Sequence, residues 1–205
     1  MIELLNIDCM QYMRTLDDGA FDLAIVDPPY GIGNWVQVSG NVRGKAVTWN
    51  DAPPSQAYYN ELCRVAKRRI IWGINYMPFS DGEGARIVWH KHVPRKTNLS
   101  VCEIASYSKN KRVDCVDMKW QNINRTEKTI HPCQKPVALY EWLLKHYAQP
   151  GERILDTHAG SGSIVIACHN MGFNLVACEI DEDYYNAALN RYKQHAAQLR
   201  IGVAY

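Results

Sequence analysis

The sequence lacks any run of eighteen apolar residues and any basic-then-apolar leader. We therefore expect a chain that neither spans a membrane nor is exported, and that works in the cytoplasm. Its seven cysteines are an odd number, are widely scattered and include no C-x-x-C pair. A disulfide framework and a cysteine-based zinc site are accordingly not expected, and no metal ligand is assigned.

Internal repeats and low-complexity segments are absent as well. At 205 residues the chain is long enough for one α/β domain with a sizeable core. It is too short for a second independent domain of ordinary size. We therefore predict a single domain over residues 1–205.

A large net charge is also missing, because the formal charge is only +2. The distribution is nevertheless uneven, since residues 86–135 hold eleven Lys or Arg against four Asp or Glu. Such a basic stretch is either a solvated face or a surface that contacts phosphates. Aromatic residues interleaved with the cations, among them Trp89 and Trp120, favour the second interpretation.

The stretch Asp27-Pro28-Pro29-Tyr30 follows an apolar run at 21–26 that is typical of an interior parallel strand. Two successive prolines make the turn rigid and remove two backbone donors. A carboxylate, carbonyl acceptors and the flat face of Tyr30 then lie where α/β proteins bind ligands. This turn suits a planar ring that carries an amino group, although an ordinary Asp-Pro turn remains the alternative.

Residues 153–179 predict a strand, a glycine loop, a helix and a second strand that ends in Glu179. The loop is Ala159-Gly160-Ser161-Gly162-Ser163, and its glycines allow a ligand to approach the backbone closely. Glu179 lies 23 residues after Asp156, near the spacing at which an acidic residue holds ribose hydroxyls. These features indicate a cofactor that contains ribose.

The glycine loop lacks the marks of two common cofactor sites. A dinucleotide fingerprint would need a third glycine where Val165 stands, and a P-loop would need Gly-Lys-Ser/Thr, which residues 162–164 do not provide. A nucleoside with a short zwitterionic tail is the remaining common ligand. We therefore predict S-adenosylmethionine, with its carboxylate on the loop amides and its ammonium on Asp156.

These motifs resemble those of the DNA amino-methyltransferases, the enzymes that methylate N6 of adenine or N4 of cytosine. Asp27-Pro28-Pro29-Tyr30 matches their catalytic motif, and residues 156–163 resemble their cofactor loop, with Thr157 and His158 replacing the usual Pro and Phe. Residues 131–136 resemble their His-Pro-Thr-Gln-Lys-Pro motif, with Cys133 replacing Thr. Because the catalytic motif precedes the cofactor loop, the resemblance is to the permuted beta class.

The resemblance implies a Rossmann-like α/β methyltransferase fold, with a mostly parallel seven-stranded sheet and an antiparallel edge strand. It implies a short target-recognition segment at about 107–131. Independently of the resemblance, the Gly-, Asn- and Ser-rich residues at about 31–53 predict a mobile loop that either closes over a bound substrate or is disordered. The resemblance also implies these cofactor-binding residues: Asp8, Cys9, Asp27, Lys135, Asp156, His158, Ala159, Gly160, Ser161, Gly162, Ser163 and Glu179. For Asp8, capping of the following helix is the competing interpretation.

The resemblance implies double-stranded DNA as the partner. The residues expected to contact it are Arg43, Lys45, Lys109, Lys111, Arg112, Lys119, Asn122 and Arg125. The short recognition segment leaves a homodimer open.

The expected reaction is methyl transfer to N6 of an adenine that has been flipped out of the duplex and stacked on Tyr30. Transfer to N4 of cytosine, and a binding module that has lost catalysis, are the alternatives.

Overall fold

The computed structural model describes residues 1–33, 52–93, 99–120, 130–131 and 133–198. Eight strands and five α-helices lie in these ranges. The strands are β1 (Ile2–Asn6), β2 (Leu23–Val26), β3 (Arg69–Trp72), β4 (Ala85–His90), β5 (Cys102–Tyr107), β6 (Val113–Asp117), β7 (Arg153–Asp156) and β8 (Asn174–Glu179). The helices are α1 (Cys9–Arg14), α2 (Gln56–Val65), α3 (Val137–Tyr147), α4 (Ser163–Met171) and α5 (Glu182–Ala197).

All eight strands form one sheet in the order β1-β8-β7-β2-β3-β5-β4-β6. Every strand is parallel to β2 except β5, which pairs antiparallel with both β3 and β4. The carboxyl ends of seven strands therefore meet at one edge of the sheet, together with the beginning of β5. We call this edge the carboxyl edge.

The α/β methyltransferase-type architecture is confirmed, with two corrections to the predicted sheet. It has eight strands rather than seven, because residues 113–117 form the edge strand β6. Only Val116 of that strand is buried, so its sequence carries no clear apolar periodicity. The antiparallel strand lies inside the sheet rather than at its edge, because β5 inserts between β3 and β4.

Two apolar clusters cover the two faces of the sheet. Leu23 and Ile25 of β2 point into the cluster beneath α3 and α4, whereas Ala24 and Val26 point into the cluster beneath α1 and α2. The alternation follows the two-residue period of a strand, and all four side chains are fully buried. Strand β2 therefore lies at the centre of a three-layer α/β structure.

A buried polar network joins α2, β3 and β5 under the same sheet. The Asp81 carboxylate is 1% exposed and accepts hydrogen bonds from Tyr59 Oη, Arg69 Nε and Ser106 Oγ, each at 3.0 Å. Arg69 also forms an ion pair with Asp81. Because the guanidinium is itself mostly buried, removal of the carboxylate would leave a charge without its partner.

We therefore expect Asp81→Ala to lower the free energy of unfolding by about 3–5 kcal/mol. Urea denaturation followed by circular dichroism measures this change. Asp18→Ala is the matched control, because Asp18 also pairs with an arginine, Arg64, but is 82% exposed in its side chain. Equal losses for the two variants would contradict the role assigned to the buried pair.

Candidate active site

The Asp27 carboxylate lies directly after β2 at the carboxyl edge, and both of its oxygens are engaged. Tyr30 Oη donates to Asp27 Oδ1 at 2.7 Å, and Lys135 Nζ donates to Asp27 Oδ2 at 2.5 Å. The first and last residues of the motif are therefore hydrogen-bonded to each other. Each carboxylate oxygen can still accept a further hydrogen bond.

Lys135 links this turn to β5. The Lys135 side chain is 4% exposed, and its ammonium contacts Glu103 Oε2 at 3.1 Å and Tyr30 Oη at 3.2 Å. Glu103 also accepts from Lys91 Nζ at 2.9 Å. Two carboxylates and two ammonium groups therefore form one neutral cluster beside the Asp27 turn, which we call the charge cluster (Asp27, Lys91, Glu103 and Lys135).

The structure places Lys135 in the charge cluster, and its expected contact with the cofactor stays a prediction. Glu103 was not predicted from the sequence at all. The signal that could have found it is a glutamate within an otherwise apolar strand, since β5 begins at the carboxyl edge. Its position became clear only from the direction of β5.

The charged groups of the cluster shift one another's pKa values. Burial raises the pKa of Asp27, and the neighbouring Glu103 raises it further, whereas the Lys135 ammonium opposes both. Burial also disfavours ionised Glu103, but the ammonium groups of Lys135 and Lys91 outweigh it and hold the Glu103 pKa at about 2. Asp27 is therefore more basic than an exposed carboxylate, and Glu103 stays ionised.

Aromatic rings lie next to the Asp27 turn. The Tyr30 ring stacks on Tyr76, with centroids 5.3 Å apart and planes 17° apart. Gly73 has φ +67°, and a Cβ added there would lie 2.2 Å from Tyr30 Cε1. Only a glycine permits this position of the Tyr30 ring. Tyr76, which is 41% exposed, was missed because it lies in a short 3₁₀ turn (Ile74–Tyr76) without a recognisable motif.

The predicted glycine loop follows β7, which pairs in parallel with β2. Gly160 and Gly162 have φ values of +50° and +69°. The Gly160 amide donates to Glu179 Oε2 at 2.8 Å, and Glu179 Oε1 accepts from the Asp181 amide at 2.9 Å. The acidic residue at the end of β8 therefore lies against the loop, and its contact with ribose hydroxyls stays a prediction.

Asp156 is a buried carboxylate without an ion pair among the residues that the structure describes. Its Oδ1 accepts from the His158 amide at 2.9 Å. Burial raises its pKa to about 8, and the negative charges of Asp27 and Glu179 add to the effect. A buried carboxylate with a raised pKa is suited to a cationic ligand group, because a nearby ammonium would favour the ionised form of the carboxylate.

The two departures from the usual cofactor loop contact the same tyrosine. Thr157 Oγ1 lies 2.7 Å from Tyr58 Oη and 2.9 Å from His158 Nδ1. The His158 ring meets the Tyr58 ring edge to face at 5.6 Å. Burial lowers the His158 pKa to about 4, so this ring is neutral at neutral pH. Tyr58 of α2 thus supports both substituted residues, which the sequence gave no reason to expect.

The segment at 130–136 joins the two halves of the site. The His131 ring lies beside Gly160, where an added Cβ would be 3.6 Å from it, and it meets the Tyr184 ring at 4.5 Å. Burial lowers the His131 pKa to about 4. Four residues later, Lys135 reaches Asp27. His131 therefore contacts the glycine loop, and Lys135 contacts the Asp27 turn.

The remaining cofactor candidates lie around the same loop. Asp8 Oδ1 accepts from the Gln11 amide at 2.9 Å, so Asp8 caps α1 as the competing interpretation held. Cys9 follows it in α1, and burial raises its thiol pKa to about 12. Ser161 and Ser163 lie 3.1 Å apart between their Oγ atoms, and Arg191 of α5 donates to both residues. The Ala159 amide donates to the Cys178 carbonyl.

The four predicted DNA contacts that the structure describes do not lie together. Lys109, Lys111 and Arg112 follow the antiparallel strand β5, so they lie at the edge opposite the Asp27 turn, and Arg112 pairs with Asp114. Lys119 follows β6 and is exposed at the carboxyl edge. Arg43, Lys45, Asn122 and Arg125 lie outside the described residues, as does most of the loop predicted at 31–53.

A sheet of this order, with a glycine loop beside an Asp-Pro-Pro-Tyr turn at its carboxyl edge, defines the class of amino-methyltransferases. A family model described as DNA methylase matches residues 71–190, which is more than half of the chain. The chain belongs to this family. It is a DNA methyltransferase that uses S-adenosylmethionine and acts on N6 of adenine or N4 of cytosine.

Curated relatives support this assignment. YubD of Escherichia coli K12, named as a candidate methylase, is 26% identical over all of this chain and 96% of its own. M.HpaI of Haemophilus parainfluenzae, a type II methyltransferase, is 22% identical over 92% of this chain and 73% of its own. The family match begins after residue 70, so the role of Asp27 rests on its motif and geometry.

Solved structures share the fold. The complex of M1.HpyAVI with SAM has a TM-score of 0.61 and 20% identity, covering 93% of this chain and all of that one. The cytosine-N4-specific PvuII methyltransferase has a TM-score of 0.62 and 10% identity, covering 98% of this chain and 87% of that one.

Within the described part of the chain, no helix combines the length and apolar character needed to cross a membrane.

We expect Gly73→Ala to reduce methyl transfer by about 100-fold, because the new Cβ must displace the Tyr30 ring by an ångström or more. Gly172→Ala is the matched control. Gly172 has φ +75°, so the backbone strain is similar, but nothing lies within 4 Å of an added Cβ. Incorporation of a radiolabelled methyl group into DNA measures the activity of both variants. Equal activities of Gly73→Ala and Gly172→Ala would contradict the steric role of Gly73.

Proposed function

We propose that this chain methylates N6 of adenine in double-stranded DNA after the base has left the helix. The observation that carries the proposal is the Asp27 carboxylate, held by Tyr30 and Lys135 beside the glycine loop. Asp in the first position of the motif favours adenine, since the cytosine enzymes more often carry Ser there. N4 of cytosine is the second candidate, and the fold shared with the PvuII enzyme keeps it open.

The residues around the glycine loop fit the cofactor. Glu179 ends β8 where ribose hydroxyls would be held, and Asp156 suits an ammonium. The Ala159, Gly160 and Gly162 amides bond within the protein, so the Ser161 and Ser163 amides would meet the carboxylate. Asp8 and Cys9 lie after β1, the neighbour of β8, and would border the adenine of the cofactor. Bound S-adenosylmethionine supplies an electrophilic methyl carbon.

The Asp27 turn would hold and orient the target amino group. One amino hydrogen would go to the Asp27 carboxylate and the other to the Pro28 carbonyl, which draws the nitrogen lone pair out of conjugation with the base. The ionised carboxylate also stabilises the positive charge that develops on that nitrogen during transfer. Orientation and charge stabilisation together are sufficient, and no covalent enzyme intermediate is needed.

The aromatic pair would hold the ring of the base. Tyr30 is fixed by its hydrogen bond to Asp27 and by Gly73, and Tyr76 stacks on one face of the Tyr30 ring, so the base would take the opposite face. Stacking of a base on such rings contributes about 1–3 kcal/mol. This contribution offsets much of the few kcal/mol that extrusion from the duplex requires.

The order of the elements supports assignment to the permuted beta class. The catalytic strand β2 precedes the cofactor strand β7, and α5 follows β8 and packs on β1. The final helix and the first strand are therefore neighbours, as a permuted chain requires. In this arrangement the recognition segment would approach DNA from Met118 onward, because β6 delivers the chain to the carboxyl edge there.

Digestion of DNA methylated by the enzyme should yield N6-methyladenine, identified by mass spectrometry. Asp27→Ala should abolish this product while S-adenosylmethionine binding, measured by calorimetry, stays near that of the parent. Gly160→Val should lose both, because Gly160 has φ +50° and lies against the His131 ring. N4-methylcytosine as the product would establish the second candidate, and a fully active Asp27→Ala would contradict the catalytic role.

The charge cluster predicts opposite pH shifts for two variants. The Lys135 ammonium lowers the pKa of Asp27 and the Glu103 carboxylate raises it. Activity that needs ionised Asp27 is lost as the pH falls through that pKa. Lys135→Met should therefore move the acidic limb of the kcat/KM profile to higher pH, and Glu103→Gln should move it to lower pH.

Lys145→Met is the control, because Lys145 is exposed on α3 and lies outside the charge cluster. Its profile should match that of the parent. Shifts in the same direction for Lys135→Met and Glu103→Gln would contradict the electrostatic role of the cluster.

A further inference from the structure

A cluster of two histidines and one aspartate lies at the carboxyl edge, away from the glycine loop. His90 ends β4 and stands opposite Asp117 in the parallel pairing of β4 with β6. His90 Nδ1 lies 2.9 Å from Asp117 Oδ1, and His92 Nε2 contacts the same oxygen. One nitrogen from each ring and one carboxylate oxygen all lie within 4.8 Å of one another.

The backbone is shaped to bring these groups together. His92 has φ +54°, a left-handed conformation that non-glycine residues seldom adopt. Between the two histidines, the Lys91 side chain turns the other way to Glu103 in the charge cluster. The Lys91 amide donates to the Val101 carbonyl at 2.9 Å, which fixes the chain between the two rings.

The donor set favours a particular kind of ion. Two imidazole nitrogens and one carboxylate oxygen are ligands that Zn²⁺ and similar transition ions prefer, whereas Mg²⁺ and Ca²⁺ prefer oxygen alone. Metal–ligand distances of about 2.0–2.2 Å would require only small side-chain movements from the present spacing. His90 and His92 are 37% and 39% exposed in their side chains, which leaves room for water as a further ligand.

We propose that His90, His92 and Asp117 bind one divalent transition-metal ion of the Zn²⁺ class. Among the residues that the structure describes, no other three His, Cys, Asp or Glu side chains are placed to hold a metal. The metal would join the end of β4 to the end of β6 and carry no catalytic step.

The position of the cluster gives the metal a structural consequence. Immediately after Asp117, the Met118 amide donates to the His90 carbonyl at 3.2 Å and the Trp120 amide donates to the Lys91 carbonyl at 3.1 Å. These bonds hold residues 118–120, which lie within the recognition segment predicted at 107–131, against β4. An ion shared by both strands would stabilise these residues, and β2, which ends before Asp27, lies three spacings of ~4.8 Å from β4 and four from β6.

Calorimetric titration of the chelator-treated full chain with Zn²⁺ alone tests the proposal. We expect one tight equivalent that is lost in the His90→Gln/His92→Gln double variant. Hydrogen exchange at the Met118 and Trp120 amides should slow on Zn²⁺ addition in the parent and not in the double variant. S-adenosylmethionine binding by the double variant confirms that it is folded.

Two controls separate this site from other metal-binding groups. His146→Gln removes an exposed imidazole on α3, and Cys115→Ser removes an exposed thiol two residues before Asp117. Both variants should keep the equivalent and the slowed exchange. No Zn²⁺ binding by the parent, or an equivalent that survives in the double variant, would overturn the proposal and leave only a hydrogen-bonded polar cluster.

Discussion

The parallel pairing of β2 with β7 is the constraint on which the site depends. Leu23 stands opposite Ile154 and Ala24 opposite Leu155, so the register places Asp156 level with Ile25, two residues before Asp27. Asp27 and Asp156, which are far apart in sequence, therefore lie at the carboxyl ends of neighbouring strands, one strand spacing of about 4.8 Å apart across the sheet and two residues apart along it. A slip of one residue would move Ala24 and Val26 to the opposite face and exchange the two apolar clusters. Because the face of Leu23 and Ile25 carries larger side chains than the face of Ala24 and Val26, close packing against the helices on both sides favours the observed register.

The charge cluster is the second feature on which the site depends, because the register places the Asp27 carboxylate at the buried end of β2. A carboxylate at the buried end of β2 would lose much of its ionisation unless a cation accompanied it. Lys135 supplies that cation, and Glu103 with Lys91 balances it, so the cluster is neutral while Asp27 remains an acceptor. Such a buried cluster adds little net stability, since desolvation opposes the attraction. Its value lies in fixing the Asp27 turn relative to the segment that also contacts the glycine loop.

Sequence reasoning located the two motifs because each depends on local chemistry. The rigid turn at Asp27 and the glycines at 160 and 162 are defined by backbone conformation, which a few adjacent residues determine. Tertiary placement was harder. The contact of Lys135 with Asp27 could not be predicted, because it joins residues that are 108 positions apart in the chain. Strand β6 was missed because an edge strand with one buried residue has no apolar period, and Tyr58, Tyr76 and Glu103 became visible only once distant elements were brought together.

The basic middle of the sequence shows why charge counted along a chain differs from charge on a surface. Lys91 and Lys135 contribute to the excess at 86–135, yet both are committed to buried carboxylates, and Arg112 pairs with Asp114. Lys109 and Lys111 are exposed, but the antiparallel direction of β5 carries them to the edge remote from Asp27. Lys119, in contrast, is a cation of this stretch that is exposed at the carboxyl edge. An electrostatic attraction for DNA at that edge must therefore come from a few well-placed cations, because most of the described excess is neutralised internally or faces away.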